Sequence, residues 1–313
     1  MAAHRYWRIM FTGPGNQAGQ IDLGWVKLFE TVDIDATVAA SPSSVGGTAI
    51  DGEHFSGTYL PSRAFTYTNS ETGDNWATLA STATYGTTKW IGYDFGAGNA
   101  KDIVAYSISY YSSYMPWEWV FQYSDDASSW TTVHTVTGFR FEANTTHYFR
   151  CPTATLTGAG YRFWRIHGSG SGTVLSIGEI QLRTAVGGSN VLVSPYHSLR
   201  ADSFNGDAPT SYGTRKALDG TTGFLSNSWR SQTDSGAHWW MVDFGKRMDI
   251  KECVLNTGPA GETRGITKLQ GSHDAANWID HGTFAAFTSG YQQQTLLAAA
   301  AISTRRRPVI VSM

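Results

Sequence analysis

The sequence predicts an all-β protein built from two β-sandwiches in tandem, and three observations support this fold class. Aromatic residues make up 13% of the 313 residues and charged residues only 15%, with 34 glycines, a balance that favours strands and tight turns. Residues 102–111 and 117–124 alternate apolar and polar side chains in the manner of strands. The third observation is that the chain repeats itself, which fixes the architecture before any other feature.

The repeat consists of sequence blocks that return in the same order in both halves of the chain. The matching pairs are residues 6–9 with 163–166, 62–78 with 215–231, 88–96 with 237–245, and 121–130 with 269–278. Turn sequences such as SDDASS and SGSG separate the strand-like segments. We therefore predict one unit over residues 4–160 and a second over residues 161–313, without a low-complexity linker between them.

Composition excludes several classes of protein. The formal net charge is −2 and neither half is strongly basic, so we expect no nucleic-acid partner. Cys151 and Cys253 lie one in each half, which rules out a disulfide scaffold and favours two free thiols, although a single bridge between the halves stays open. No apolar run is long enough to cross a bilayer, and the first residues, MAAHRYWRIMFTGPG, lack a signal-peptide core. We expect synthesis in a cytoplasm and no membrane insertion.

Catalytic signatures are absent from the sequence. It contains no GxSxG, HExxH or CxxC motif, and the glycine runs at 13–19 and 168–172 lead into further strand-like sequence. A phosphate-binding loop needs the N-terminus of a helix after it, so these runs indicate hairpin loops. We expect a protein that is not an enzyme.

Large rings that recur in both halves are expected to fill the sandwich interiors. The predicted core tryptophans are Trp7, Trp76, Trp90, Trp130, Trp164, Trp229, Trp239 and Trp278. Candidate functional residues are therefore sought where the two halves differ.

The repeated blocks resemble the discoidin, or coagulation-factor type C, domains. The resemblance is carried by a tryptophan four residues before Asp-Phe-Gly, by a downstream Gln-x-Ser-x-Asp followed by tryptophan, and by Ala-x-Asp-Gly ahead of both. It implies two tandem galactose-binding-like jelly-roll β-sandwiches. It also implies a non-catalytic binding module, for a glycan, a lipid head group or another protein, through loops at one end.

The order of the blocks also resembles a variant found in bacteriophage tail and virion proteins, where each unit begins with the Tyr-Trp-Arg strand and its Gly-Glu-Ile partner. That resemblance implies a virion protein on the tail or capsid exterior, made in the host cytoplasm and recognising host cell-surface carbohydrate. Other virion proteins and further copies of the chain are the expected partners. The alternative is a structural virion component, a decoration protein or tail adaptor, that makes only protein contacts.

One candidate ligand surface lies in residues 113–126. Trp119 takes the core position of this strand, and because alternate residues point to opposite faces, Trp117 is expected to point outward. Tyr114, Met115 and Trp117 would then form an exposed apolar platform, suited to the C–H face of a sugar ring or to a neighbouring subunit.

A second candidate is a structural Ca²⁺ site, which the resemblance implies. Family members hold the ion with an aspartate of the Ala-x-Asp-Gly turn and a glutamate of the Gly-Glu-Ile strand, an all-oxygen shell. The second unit has Glu179 and Asp219 at these positions, with Thr222 close by. The first unit has Trp25 and Thr66 instead, so we expect no ion there.

Arg230, His238 and Arg264 lie in predicted loops of the second unit and are candidate donors to ligand hydroxyl groups. Residues 295–303, TLLAAAAIS, favour a helix through their four alanines. The last residues, RRPVIVSM, read as a strand that could begin a third, truncated unit.

Overall fold

The computed structural model describes residues 2–15, 19–40, 46–66, 75–81, 84–152, 156, 158–170, 174–207, 209–220, 228–257, 265–287 and 292–298. Among the described residues, strands far outnumber helices, so the predicted all-β class is confirmed. Across the described ranges, no helix has the length and apolar character that a membrane crossing requires.

The strands are treated in two groups, which we call the N-terminal half (residues up to 152) and the C-terminal half (residues from 158). The N-terminal strands are β1 (Tyr6–Phe11), β2 (Asp22–Leu23), β3 (Val26–Phe29), β4 (Thr48–Asp51), β5 (Trp76–Ala77), β6 (Trp90–Asp94), β7 (Ala105–Ser109), β8 (Trp119–Ser124), β9 (Thr131–Val136) and β10 (Thr146–Arg150). The C-terminal strands are β11 (Tyr161–Ser169), β12 (Ser176–Arg183), β13 (Ser198–Ala201), β14 (Trp229–Arg230), β15 (His238–Met248), β16 (Glu252–Thr257), β17 (Ile266–Ser272), β18 (Ile279–Thr283) and β19 (Gln293–Leu297).

Within the described residues, helical structure is limited to short segments. They are α1 (Ala36–Ala40), α2 (Pro209–Tyr212) and the 3-10 turns Pro61–Phe65, Asn205–Asp207 and Thr214–Leu218. Residues 295–297 belong to β19, so the helix expected there is wrong for these positions: β19 pairs with β16, and sheet pairing outweighs the helix preference of the sequence that follows. Residues 299–313, including RRPVIVSM, lie outside the described residues.

The two halves share one strand order. A five-stranded antiparallel sheet in the N-terminal half runs β4-β6-β1-β8-β9, and its C-terminal counterpart runs β13-β15-β11-β17-β18. The opposing sheets are β10-β7-β3 and β14-β12-β16-β19, and β2 pairs with β5. The recurring Trp-Arg-Ile phrase therefore forms the central strand of each five-stranded sheet. The predicted boundary between residues 160 and 161 stays a prediction.

Each half has its own apolar core. Trp7, Trp76, Trp164 and Trp229 are buried as predicted, and Trp119 is buried as well. The prediction is wrong for Trp90, Trp130, Trp239 and Trp278, which are only half-buried. In β6 and β15 the inward positions belong to the next residues, Ile91 and Trp240, so strand alternation turns Trp90 and Trp239 to the outer face.

The outer tryptophans stack on the arginine of the central strand. The Arg8 guanidinium lies 3.9 Å from the centre of the Trp130 ring, and the Arg165 guanidinium lies 4.0 Å from that of Trp278. Each Nε donates to a glutamine of the next strand, Arg8 to Gln122 at 2.8 Å and its counterpart to Gln270 at 2.6 Å. The repeated arginine, glutamine and tryptophan thus form one cation–π stack in each half.

A second repeated interaction joins the central strand to Asp-Phe-Gly. Arg5 donates to both carboxylate oxygens of Asp94 at 2.7 and 2.8 Å, and Arg162 donates to both of Asp243 at 2.7 Å. The side chains of the first pair are 36% and 19% exposed, and those of the second only 3% and 8%. The second pair is buried because the N-terminal half covers it: Arg162 Nη2 also donates to the Arg150 carbonyl at 2.8 Å.

Further hydrogen bonds between described residues connect the halves at this contact, which we call the junction. They are Arg150 Nη2 to the Tyr196 carbonyl (3.0 Å), Arg200 Nη2 to the Thr137 carbonyl (3.0 Å), Thr214 Oγ1 to Glu142 Oε1 (2.6 Å), Arg215 Nη2 to the Thr146 carbonyl (3.3 Å), and Lys246 Nζ to Asp33 Oδ1 (2.6 Å). Glu142, Arg150 and Thr214 are buried. Because these groups are buried, a shift of one half against the other that broke their hydrogen bonds would leave polar atoms unpaired. The hydrogen bonds therefore favour one relative position of the halves.

Cys151 and Cys253 are both free and buried, as the sequence predicts. Burial raises the pKa of both thiols. Neither sulfur is therefore suited to nucleophilic chemistry.

The two Arg–Asp pairs form a matched test of burial. Asp243→Asn removes one charge of a buried pair and should lower the free energy of unfolding by roughly 3–5 kcal/mol, because Arg162 stays buried without its counter-charge. Asp94→Asn makes the same change at the more exposed pair and should cost much less. Urea denaturation of both variants measures the difference, and equal losses would contradict the role of the junction in burying the second pair.

Two half-buried histidines near the junction predict a loss of stability in acid. Burial lowers the pKa of His134 and of His197 to about 4, with Arg200 and Arg162 opposing protonation of His134 and Asp243 favouring it. An unfolded histidine takes up its proton near pH 6.5. The free energy of unfolding should therefore fall as the pH drops from about 6.5 to about 4. Each histidine contributes about 1.4 kcal/mol for each pH unit in which it is protonated only in the unfolded chain.

Denaturation of the His134→Gln variant across this pH range should show a shallower fall than the parent protein. His54→Gln, at a surface histidine, serves as the control. Burial raises the pKa of Glu142, so this group stabilises the folded state as the pH falls and partly offsets the histidines. The difference between variant and parent, rather than the absolute slope, therefore measures the effect of His134. Parallel curves for His134→Gln and the parent would refute the assignment.

Candidate functional site

A pocket lies where loops of the two halves meet. Its volume is about 310 Å³, and it is lined by Arg140, Asp202, Ser203, Phe204 and Gln232. Arg140 follows β9 in the N-terminal half, whereas the other four residues follow β13 and β14 in the C-terminal half. The pocket therefore exists only because the junction places these loops side by side.

The polar wall of the pocket is held by hydrogen bonds within the protein. Asp202 Oδ1 accepts the Trp239 N–H at 2.8 Å, and Asp202 Oδ2 accepts Ser203 Oγ at 3.0 Å and lies 2.5 Å from His238 Nδ1. Ser203 Oγ in turn accepts the Gln232 N–H at 3.1 Å. These contacts orient the carboxylate and the hydroxyl before a ligand arrives, which lowers the entropic cost of binding.

Trp117 lies beside the pocket, in contact with its cationic wall. The Arg140 guanidinium lies 3.3 Å from the centre of the Trp117 ring, and the Phe139 N–H donates to the Trp117 carbonyl at 2.9 Å, which fixes the two segments together. Trp117 is half-buried. The aromatic ring predicted to face outward therefore forms a stacked pair with a residue that lines the pocket.

The rest of the predicted platform is only partly at the surface. Tyr114 is half-buried, and its carbonyl accepts the Asp22 N–H at 3.1 Å. Met115 is 1% exposed and belongs to the N-terminal core, so its predicted exposure is wrong. The bridge between Gly15 and Pro116 turns this segment toward the core, and only a glycine fits against the Met115 carbonyl there.

The predicted hydroxyl donors separate in the structure. Arg230 and His238 lie in β14 and at the start of β15, so the expected loop positions are wrong, because β14 pairs with β12 and β15 with β11. His238 is buried behind Asp202 and reaches the pocket only through it. Arg230 lies 5.8 Å from the Tyr212 ring. Arg264 falls outside the described residues.

The predicted metal ligands Glu179 and Asp219 come close together. The pKa of Glu179 is raised to about 7, mainly by burial; the Gly220 N–H, which donates to Glu179 Oε2 at 3.1 Å, opposes the rise, and the nearby charge of Asp219 adds to it. Two adjacent carboxylates, one of them buried, suit a hard cation such as Ca²⁺. Within the described ranges, no cluster of three or more His, Cys, Asp or Glu side chains is arranged to hold a metal. Further ligands would have to be backbone or hydroxyl oxygens, and Thr222 lies outside the described residues.

The equivalent positions of the N-terminal half carry different chemistry. Trp25 is half-buried with the Lys27 ammonium 6.0 Å from its ring, and Lys27 Nζ donates to the Ala39 carbonyl at 2.7 Å. Thr66 Oγ1 donates to the Arg63 carbonyl at 2.9 Å. Neither position offers a carboxylate.

Sequence reasoning missed most of the residues that line the pocket. Arg140, Asp202, Ser203 and Gln232 belong to no repeated block and come from three separate loops. Only His238 pointed toward this pocket from the sequence. It was selected as a polar residue of the second half, and it lies behind the polar wall in contact with Asp202.

Comparison with known proteins assigns a class to part of the chain. Residues 216–307 match a family model of the F5/F8 type C group described as "NedA-like, galactose-binding domain". Residues 216–307 are therefore similar to discoidin-type, galactose-binding-like domains, which confirms the resemblance for this segment. The match includes Asp219, Gln232 and His238 but no residue of the N-terminal half. No curated protein and no solved structure matches the chain.

Proposed function

We propose that this chain is a non-enzymatic carbohydrate-binding protein whose ligand occupies the junction pocket. The observation that carries the proposal is the combination of pre-oriented Asp202 and Ser203 with the stacked Arg140 and Trp117 on one pocket rim. Sugars are bound by fixed hydrogen-bonding groups for their hydroxyls and by aromatic faces for their C–H surfaces. The galactose-binding-like class of the C-terminal half supports the same ligand type.

The charges of the pocket favour a neutral sugar. Arg140 supplies one cation and Asp202 one anion, so a strongly charged ligand would meet a like charge on one side. The volume of about 310 Å³ is at the small end of ligand pockets. We therefore propose one neutral monosaccharide unit, at the end or side of a longer glycan.

The biological setting is proposed from the sequence resemblance. We propose a position on the exterior of a phage tail or capsid, with host cell-surface glycan as the ligand. A second candidate function, a structural virion protein that makes only protein contacts, is favoured by an apolar surface in the N-terminal half. Phe55 and Leu79 there are 51% and 46% exposed, and the Phe55 ring contacts that of Tyr59.

A glycan array with the intact protein tests the first function. Trp117→Ala and Gln232→Ala should each weaken binding of the recognised sugar about tenfold or more, as expected for the loss of one well-placed contact. Trp130→Ala is the matched control, because Trp130 stacks on Arg8 as Trp117 stacks on Arg140, at a different site.

Equal losses in Trp117→Ala and Trp130→Ala would show a general effect on folding and would count against the pocket. If the intact protein binds no glycan but assembles tightly with virion proteins, the second function replaces the first.

We also propose that Glu179 and Asp219 hold a structural Ca²⁺. After treatment with chelator, added Ca²⁺ should raise the midpoint of thermal unfolding, since an ion bound only by the folded state stabilises it. Glu179→Gln should abolish the increase, and without Ca²⁺ it should not lower the midpoint, because it removes repulsion from Asp219. Glu30→Gln, an exposed glutamate of the N-terminal half, is the control. A Ca²⁺ response retained in Glu179→Gln would exclude this site.

A further inference from the structure

The surface through which the C-terminal half contacts the N-terminal half at the junction has an open counterpart. In the C-terminal half this surface includes Ser198 of β13, which lies opposite Asp243 and is buried. In the N-terminal half the counterpart of Ser198 is Thr48 of β4, which lies opposite Asp94 and is exposed. We call the surface formed by Arg5, Thr48, Asp94 and Gly96 the receiving face.

The glycine after each aspartate shows how closely the junction packs. A Cβ atom on Gly245 would lie 2.3 Å from the Cδ atom of Arg150, so the N-terminal half rests directly on this residue. At Gly96 the nearest atom would be 3.7 Å away, in the side chain of Asn99. The same surface is thus covered in one half and open in the other.

The elements that cover the surface also have counterparts. In the N-terminal half they are the end of β10 at Arg150 and the loop after β3, where the Val32 carbonyl accepts Arg150 Nε at 2.8 Å. The counterpart of Arg150 is Leu297, because each lies at the end of its strand, opposite Ala105 and Glu252 respectively.

Val186 corresponds in the same way to Val32. Val32 lies three residues after Phe29, which pairs with Ala105. Val186 lies three residues after Arg183, which pairs with Glu252. Val186 and Leu297 are 68% and 60% exposed. Large aliphatic side chains with this exposure, placed where the other half makes a buried contact, indicate an interface. We call them the donor face.

We propose that the donor face of one copy of this chain docks on the receiving face of a second copy, in the arrangement that the junction has within one chain. The Arg5 side chain already has the orientation that this contact requires. Its Nη2 already donates to Asp94, and at the junction the matching Nη2 of Arg162 also donates to the carbonyl of Arg150. In the assembly Arg5 would donate to the carbonyl at Leu297 of the second copy.

Because the two faces differ, the contact is heterologous, and a pair of docked copies keeps one free face at each end. Repetition therefore extends the assembly into an open chain, or into a ring if the rotation closes, rather than stopping at a symmetric dimer. This inference goes beyond glycan binding and does not depend on it, since no residue of the junction pocket belongs to either face.

Sedimentation velocity of the full chain over a range of concentrations tests the proposal. The parent protein should form oligomers whose size grows with concentration. Val186→Glu combined with Leu297→Glu, and separately Thr48→Lys, should each weaken self-association about tenfold or more, because a buried charge or a long side chain would enter the contact. Ile279→Glu, which changes an exposed aliphatic residue of β18, is the control and should assemble as the parent does.

Mixing the two face variants gives the decisive result. Each retains one intact face, so the mixture should form one-to-one dimers and nothing longer. A parent protein that stays monomeric overturns the proposal, as does a closed dimer that persists in both variants. Assembly that appears only after removal of residues 299–313 would show that this segment occupies the donor face, and would overturn it too.

Discussion

The buried pair of Arg162 and Asp243 is the interaction on which the rest of the structure depends. It ties the central strand β11 to β15, and Asp243 also accepts the Gly245 N–H at 2.7 Å. The same guanidinium holds the Arg150 carbonyl of the N-terminal half. An ion pair out of water is stable only when its remaining donors and acceptors are satisfied. Folding of one half and docking of the other are therefore coupled through one pair of charges.

The junction pocket follows from that docking. Arg140 and Trp117 belong to the N-terminal half, and Asp202 and Ser203 to the C-terminal half. Neither pair makes a ligand pocket alone, and both are positioned by strands that the junction holds together. Binding at this place is thus a property of the two halves in contact, while the Glu179 and Asp219 site lies within the C-terminal half alone.

Prediction from the sequence succeeded where strand periodicity and repetition carry the information. The recurring phrases identified the all-β class and the buried Trp7 and Trp164, and the family resemblance implied that Glu179 and Asp219 lie together. It failed where one of two neighbouring strand residues had to be assigned the inward position. Repetition shows that Trp90 and Trp239 matter to the fold but not which sheet face they occupy, and Trp90 lies against Arg8 of a neighbouring strand. Met115 was expected to be exposed together with Trp117, yet a contact with Gly15 turns it inward.

The sequence by itself determined the all-β class, the recurring strands and the turns between them, because these follow from local alternation and from residues that recur at matching positions. The tertiary structure alone decided which Arg–Asp pair is buried, which loops meet in the pocket, and which copy of a shared surface is left open. Those outcomes depend on how one half packs on the other, and residues far apart in the chain carry no local pattern that records such a contact.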